Sequence, residues 1–163
     1  MSETERMLAA NARYAETFDK ADLAAPPAKR VAIVACMDAR IDVGRMLGTQ
    51  EGDAHVIRNA GGIVTDDVIR SLMISQHLLG TREVIVVQHT QCGMLGFSDT
   101  ELGDKLERET GQRPPFEIGS FSDLEVNLRE SLESIRSSPF VAEKDAIRGF
   151  VFEVETGRLR EVT

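Results

Sequence analysis

The sequence of 163 residues lacks the features that mark several large classes of protein. No apolar run approaches the roughly 20 residues that a membrane-spanning helix needs. No cluster of lysine or arginine is dense enough to bind a phosphate backbone, and a formal net charge of −8 opposes that role. Internal repeats and low-complexity segments are absent, and the length favours one domain, 1–163. We therefore expect no membrane span and no nucleic-acid partner.

Cysteine is scarce, and the chain contains only Cys36 and Cys92. The first residues are polar and mixed in charge, unlike a secretory signal peptide, so we expect a cytoplasmic protein. In that compartment two cysteines are more often metal ligands or free thiols than a disulfide. No C-x-x-C pair is present, although such pairs often supply ligands to structural zinc sites closed by four protein side chains. The cysteines therefore point away from a structural zinc site of that type.

Three short apolar runs predict buried strands, near residues 31–36, 54–57 and 83–88. The first and third runs are continuous and rich in β-branched residues, which suits strands buried on both faces of a parallel sheet. A helix is expected over Asp66–Leu79, with Thr65 as its N-cap and Gly80 at its end. Strand, helix and strand with short connections form a βαβ unit. We predict an α/β fold, with a central, mainly parallel β-sheet flanked by helices.

The N-terminal segment predicts an amphipathic helix that reaches to about Lys20. Met7, Leu8, Tyr14 and Phe18 recur near the helical period, with polar residues between them. The following Ala-Ala-Pro-Pro sequence breaks that pattern. We therefore divide the chain into an N-terminal helical arm, residues 1–28, and an α/β core, residues 29–163. The arm packs either on its own core or on a second subunit, and the sequence leaves both open.

The second half of the chain predicts two helices and a hairpin. Ser98–Glu101 and Ser122–Glu125 both fit the capping box, a hydroxyl side chain followed three residues later by a carboxylate. The second box is expected to open a helix that ends before Pro139. Between the two helices, Gly111–Ser120 either covers the mouth of a cleft or merely joins them. Residues 150–162 predict an antiparallel hairpin at the edge of the sheet.

Side chains that bind metals follow the first and third predicted strands. Cys36 ends one strand and His89 ends the other, and ligands of open α/β sheets bind outside the carboxyl ends of the strands. Cys92 follows three residues after His89, and Gly93 allows a close approach of the turn. Two thiols and one imidazole favour zinc, and three protein ligands with one open position are typical of a catalytic site. The spacing alone also fits residues that bind no metal, namely two buried thiols and a loop histidine held by a hydrogen bond.

Asp38 and Arg40 have two interpretations beside such a site. Alternation places positions 36, 38 and 40 on one side of an extended segment, so Asp38 could act as a fourth metal ligand. Arginine instead holds a carboxylate bidentately and keeps it ionised, which would leave the fourth position to water. An ordinary surface salt bridge is a third possibility. His55 and His77 lack this context, and we expect structural or solvent-exposed roles for them.

Taken together, these residues resemble the β-class carbonic anhydrases. Cys36–Arg40 resembles the C-x-D-[SA]-R motif of that family, and His89–Gly93 resembles its H-x-x-C-G motif. Arg58–Gly62 resembles the R-N-A-G segment that lies between the two. Order and spacing agree over about residues 30–95, and the combination is specific although each motif alone is not. One departure is Met94, which stands where many members have a second glycine.

The resemblance implies that Cys36, His89 and Cys92 bind zinc, one Zn²⁺ per subunit. It implies that Asp38 and Arg40 form the catalytic dyad, with Asp38 as a conditional fourth ligand of the metal. It also implies a homodimer or a dimer of dimers, with the active-site cleft near the subunit interface and the arm wrapped on the partner. These residue roles are expectations from the family and not results of the spacing.

The activity implied is that of a carbonic anhydrase, a zinc lyase (carbonate dehydratase). Such an enzyme reversibly hydrates carbon dioxide to bicarbonate and a proton, so carbon dioxide and bicarbonate would be its small-molecule substrates. Carbonyl sulfide and carbon disulfide hydrolases resemble the same family and share its metal motifs, so they are the nearest alternative. Two further alternatives are a noncatalytic zinc-binding protein and a protein whose two cysteines act as redox thiols without a metal.

Overall fold

A five-stranded sheet forms the centre of the computed structural model, which describes residues 1–163 throughout. The strands are β1 (Val31–Cys36), β2 (Ala54–Asn59), β3 (Glu83–His89), β4 (Ala146–Phe152) and β5 (Leu159–Val162). Their spatial order is β2-β1-β3-β4-β5. The first four strands are parallel, and β5 pairs antiparallel with β4 at one edge. The predicted α/β class and the predicted edge hairpin are both confirmed.

Five α-helices accompany the sheet: α1 (Glu3–Glu16), α2 (Val43–Leu47), α3 (Asp66–Leu79), α4 (Asp99–Thr110) and α5 (Leu124–Ser137). Helix α3 has the predicted bounds, with Thr65 as N-cap and Gly80 in the left-handed conformation at its end. Helix α1 ends earlier than predicted, at Glu16 and not near Lys20. Helix α2 was not predicted, because a helix of five residues is too short to show a periodic pattern.

The two predicted capping boxes have different outcomes. Ser98 and Glu101 form the predicted box at the start of α4. The prediction of Ser122 as the cap of α5 was wrong, because Asp123 is the N-cap. The carboxylate of Asp123 accepts hydrogen bonds from two backbone N–H groups of the first turn, at 2.9 and 3.0 Å. A carboxylate also carries the charge that the positive end of a helix favours, which a hydroxyl does not.

Both faces of the central strands β1 and β3 are covered, as their continuous apolar runs predicted. On one face the strand side chains pack against α3 and α5, in a cluster that contains Val34, Val86, Leu72, Leu128 and Leu132. The cluster on the opposite face contains Ile33, Val87, Ile41, Met94 and Phe121. Cys36 and Cys92 belong to this second cluster. The candidate metal ligands therefore lie against an apolar layer.

The N-terminal arm does not bury its apolar face on its own core. Helix α1 has no buried residue, and Met7 and Leu8 are 69% and 64% exposed. Its one hydrogen bond to the core joins the hydroxyl of Tyr14 to Glu51, at 2.6 Å. No helix has the combination of length and apolar character that crossing a bilayer would require. An apolar helix face thus remains uncovered in the single chain.

Candidate metal centre and active site

Cys36, His89 and Cys92 come together at the carboxyl ends of two adjacent strands. Strands β1 and β3 are parallel neighbours, so Cys36 and His89 end at the same edge of the sheet. The ligand atoms of the three residues all lie within 4.8 Å of one another. All three side chains are buried, and His89 is 0% exposed. The structure therefore brings the three predicted ligands into one cluster.

The imidazole of His89 has one nitrogen occupied and one free. Its Nδ1 lies 2.8 Å from the backbone carbonyl oxygen of Thr90, and only an N–H can donate to a carbonyl. The other nitrogen, Nε2, then carries a lone pair, and it is buried without a hydrogen-bond partner. A buried unpaired polar atom is costly, and a metal ion at Nε2 removes that cost. This orphaned atom fits a metal ligand.

The two thiols are close enough to affect each other's ionisation, and both are free cysteines. The thiol of Cys92 donates a hydrogen bond toward Cys36, which holds the pKa of Cys36 below its ordinary value. The same contact, with burial, raises the pKa of Cys92, because a second thiolate beside the first is unfavourable. A divalent cation resolves this conflict by neutralising both sulfur atoms. The Cys-His-Cys donor set therefore fits Zn²⁺ with one position left for a small ligand.

Asp38 is held by Arg40 at the rim of this cluster. Nε and Nη2 of Arg40 donate to the two carboxylate oxygens at 2.9 and 2.8 Å. These bonds, and one from the backbone N–H of Arg40, hold the pKa of Asp38 well below its usual range. Oδ2 of Asp38 lies 3.7 Å from Nε2 of His89, so the carboxylate borders the metal-binding cluster. Of the alternatives above, the structure shows the carboxylate paired with Arg40.

Arg58 fixes the backbone that follows β1. Its guanidinium donates to the carbonyl oxygen of Cys36 at 3.0 and 2.8 Å and to that of Asp38 at 2.8 Å. These carbonyls belong to the loop that carries both the first ligand and the carboxylate. The sequence marked Arg58 as part of a motif but did not indicate that its partners are backbone carbonyls.

Gly62 lies where the loop after β2 crosses the ends of β1 and β3. A Cβ at this position would stand 2.7 Å from the backbone nitrogen of Cys36 and 2.9 Å from the carbonyl oxygen of Val87. The residue also has a φ of +62°, in the left-handed region that favours glycine. Only glycine fits this close approach, so the R-N-A-G-G segment helps to set the backbone at Cys36.

The segment 111–120 ends beside the site. The carboxylate of Asp99 accepts hydrogen bonds from the backbone N–H groups of Gly119 and Ser120, at 3.0 and 2.7 Å. A Cβ added to Gly119 would strike Ile63, and one added to Gly61 would meet Phe121. The end of this segment therefore packs against the loop after β2, and so does more than join two helices.

The other two histidines lie outside the metal cluster. Nδ1 of His55 lies 2.7 Å from the hydroxyl of Ser75, and Nε2 of His77 lies 3.1 Å from the carbonyl oxygen of Phe140. His77 is exposed, and His55 is part of β2. Both have the structural or solvent-exposed setting that was expected.

Sequence comparisons place the chain among known enzymes. The family model described as carbonic anhydrase matches residues 31–159. The β-carbonic anhydrase 1 of Mycobacterium tuberculosis is 56% identical over 163 residues, which cover 100% of this chain and 99% of that protein. A carbon disulfide hydrolase of an Acidianus strain is 38% identical over 160 residues, covering 83% of this chain and 78% of that protein.

Solved structures give the same answer for the fold. The carbonic anhydrase from Streptococcus mutans matches with a TM-score of 0.93 and 43% identity, covering 100% of this chain and 99% of that one. The apo form of a carbon disulfide hydrolase matches with a TM-score of 0.73 and 32% identity, covering 99% of this chain and 88% of that one. With the family match over most of its length, the chain belongs to the carbonic anhydrase family, in its β class.

Proposed function

We propose that the chain catalyses the zinc-dependent, reversible hydration of carbon dioxide to bicarbonate and a proton. One observation carries the proposal: the imidazole of His89, whose Nε2 is unpartnered, clusters with two thiols, with ligand atoms within 4.8 Å of one another, and its Nε2 lies 3.7 Å from an ionised carboxylate. The β-carbonic anhydrase 1 of M. tuberculosis, 56% identical over 99% of its length, supports it. Such a site combines a place for a metal with an acceptor that can orient a nucleophile.

Cys36, His89 and Cys92 would hold one zinc ion per subunit. When bound, zinc would act as a Lewis acid and lower the pKa of a coordinated water toward neutrality. The hydrogen bond to the carbonyl oxygen of Thr90 keeps Nε2 of His89 directed at this point. The buried setting of the three ligands limits competition from bulk water.

Asp38 would orient the nucleophile. An ionised carboxylate can only accept hydrogen bonds, so an attacking water or hydroxide must turn an O–H toward Asp38. Its remaining lone pair then points away from the carboxylate and toward the substrate carbon. Arg40 keeps the carboxylate ionised and restrains it through two side-chain hydrogen bonds. Asp38 as a fourth ligand under other conditions remains part of the proposal and requires these bonds to break.

The surroundings of the site suit a small nonpolar substrate. Cys36 and Cys92 share an apolar cluster with Ile41, Met94 and Phe121. Such side chains offer carbon dioxide no competing hydrogen bonds, while Asp38 and Arg40 stand at the polar rim. We infer that the bound substrate lies against this apolar side.

Carbon disulfide hydrolysis is the second candidate, because a relative with that name is 38% identical. Carbon disulfide is also linear and is attacked at carbon, so the same ligands and the same oriented nucleophile would serve. Stopped-flow assays of the zinc-loaded protein on carbon dioxide and on carbon disulfide separate the two. We expect rapid hydration of carbon dioxide and far slower hydrolysis of carbon disulfide. The reverse order of rates would make carbon disulfide the substrate.

We also propose a homodimer or a dimer of dimers, formed by arms of residues 1–28 that pack on partner cores of residues 29–163. The apolar face of α1 is uncovered in the single chain, and the core exposes Leu78 by 75% and Phe140 by 59%. Apolar surfaces of this kind are usually covered in an assembly.

The two free thiols agree with a cytoplasmic location, where thiols stay reduced.

A further inference from the structure

The turn between β4 and β5 brings one carboxylate, that of Glu155, to the loop that carries two of the metal ligands. Its Oε2 accepts a hydrogen bond from the hydroxyl of Thr90 at 2.8 Å. Its Oε1 accepts one from the side-chain amide of Gln91 at 2.6 Å. Thr90 and Gln91 lie between His89 and Cys92 in the chain. Glu155 therefore contacts the metal-binding loop without contacting a metal ligand.

Gln91 connects this carboxylate to the catalytic pair. Its backbone carbonyl accepts a hydrogen bond from Nη2 of Arg40 at 3.1 Å, and its side-chain oxygen lies 3.4 Å from Nη1. The amide of Gln91 thus accepts from a cation and donates to an anion, which fixes its orientation. The residue has a φ of +54°, a conformation that a non-glycine residue adopts at some cost. The bonds to Arg40 and Glu155 help to hold it there.

Glu155 is itself held on a closed turn. The backbone N–H of Glu153 donates to the carbonyl oxygen of Arg158 at 2.9 Å, and that of Gly157 donates to the carbonyl oxygen of Glu153 at 2.8 Å. The backbone N–H of Val154 donates to the hydroxyl of Thr90 at 3.0 Å. The turn and the metal-binding loop are therefore tied together through Val154 and through the carboxylate of Glu155.

The ion pair of Arg40 and Asp38 needs further contacts to hold the guanidinium in one orientation. The side chain of Arg40 is 48% exposed, whereas that of Asp38 is 19% exposed. An exposed ion pair contributes little by itself, because holding a long side chain in one geometry costs entropy. Gln91 contacts the side of the guanidinium that Asp38 leaves free, and Glu155 fixes Gln91.

We propose that Glu155 is a positioning residue of the active site. It holds Gln91, and through Gln91 it keeps Arg40 in the orientation in which two of its side-chain N–H groups face Asp38. The inference rests on the proposed function, because Asp38 is the group that orients the nucleophile. The carboxylate of Glu155 bonds to Thr90 and Gln91 and to none of the three metal ligands, so its loss is expected to lower kcat and to leave KM unchanged.

The test compares zinc-loaded Glu155→Ala with Glu133→Ala, which removes the same charge at an exposed position of α5. We expect Glu155→Ala to lower kcat for carbon dioxide hydration by about 10-fold, at the low end for residues that orient a metal site. Zinc content, KM and the rate of the control variant should stay as in the wild type. A wild-type kcat in Glu155→Ala, or a loss confined to KM or zinc content, would overturn the proposal.

A double-mutant cycle tests whether the effect passes through Arg40. In an Arg40→Ala background, adding Glu155→Ala should change kcat by less than about 2-fold, because residues that act through one another are not additive. A further loss of about 10-fold in that background would contradict the proposed route.

A readout that does not depend on turnover separates this inference from the proposed function. Hydrogen exchange of the Arg40 Nε–H, followed by NMR in the zinc-loaded protein, reports its bond to Asp38 directly. We expect faster exchange in Glu155→Ala and unchanged exchange in Glu133→Ala. If the wild type failed to hydrate carbon dioxide, the proposed function would fall, while equal exchange in wild type and Glu155→Ala would still overturn the role of Glu155.

Discussion

At the scale of single residues, the hydrogen bonds of His89 and Asp38 limit what each side chain can do. Nδ1 of His89 donates to the carbonyl of Thr90, so only Nε2 can bind a metal. Both oxygens of Asp38 accept hydrogen bonds from Arg40, so the carboxylate stays ionised and restrained. One residue supplies a ligand, and the other supplies an acceptor for the nucleophile.

The first prediction concerns Asp38→Asn in the zinc-loaded protein. An amide offers N–H groups where the carboxylate only accepts, so the nucleophile loses its orientation. We expect turnover of carbon dioxide to fall by about 100-fold, the effect of misplacing a reacting group, while zinc stays bound. Stopped-flow hydration with elemental analysis measures both quantities. Asp145→Asn, at an exposed position, is the control, and full activity in Asp38→Asn would contradict the role of Asp38.

The second prediction concerns Gly62→Ala, compared with Gly80→Ala. Both glycines have positive φ, but a Cβ at Gly62 would strike backbone atoms, whereas one at Gly80 would meet nothing within 4 Å. We expect Gly80→Ala to cost about 1 kcal/mol, and Gly62→Ala to cost about 1–3 kcal/mol more, since the added methyl group overpacks the loop. Denaturant unfolding of the two variants measures the difference in the free energy of unfolding. Equal losses of stability would show that the loop moves to accommodate the methyl group.

At the scale of elements, Asp99 joins α4 to the segment that packs beside the site. Hydrogen bonds from the side chain and backbone of Ser120 and from Gly119 hold the pKa of Asp99 below its ordinary value. A lowered pKa in the folded state means that the carboxylate stabilises the fold at pH values above its unfolded pKa. That contribution is lost as the pH falls through the lower pKa that Asp99 has in the folded state.

The third prediction follows from this sign. Asp99→Asn should be less stable than the wild type at neutral pH, and the gap should shrink below about pH 4, the ordinary range of an aspartate. Urea unfolding of both proteins over a pH series checks the trend, with Asp145→Asn as the control. A gap that stays constant down to pH 2 would show that the charge of Asp99 does not contribute.

The sequence predicted some of these elements well because their signals are local. The apolar runs of β1 and β3 and the caps of α3 each lie within a short stretch, and Cys36 and His89 end the two strands. The contact of Gln91 with Glu155 could not be predicted, because it joins residues 64 apart and Glu155 lies in a polar turn. The cap of α5 was misassigned because Ser122 and Asp123 are adjacent and either residue type can cap.

At the scale of the whole molecule, the exposed face of α1 bears on assembly. We expect the wild type to sediment as a dimer or a larger species. Met7→Glu should shift it toward the monomer, because a charge on the apolar face opposes burial against a partner. Ala9→Glu adds the same charge to the opposite face of the helix and should leave assembly intact. Analytical ultracentrifugation distinguishes these results, and a monomeric wild type would contradict the proposed assembly.

The chemistry of the whole chain depends on the cluster of Cys36, His89 and Cys92, and a zinc titration tests it most directly. Metal-free protein would receive zinc stepwise while stopped-flow hydration of carbon dioxide is followed. We expect the rate to rise in proportion to bound zinc and to level off at one zinc per subunit, with no such rise in His89→Ala. Equal hydration by the metal-free protein, or one bound zinc without hydration, would contradict the proposed function.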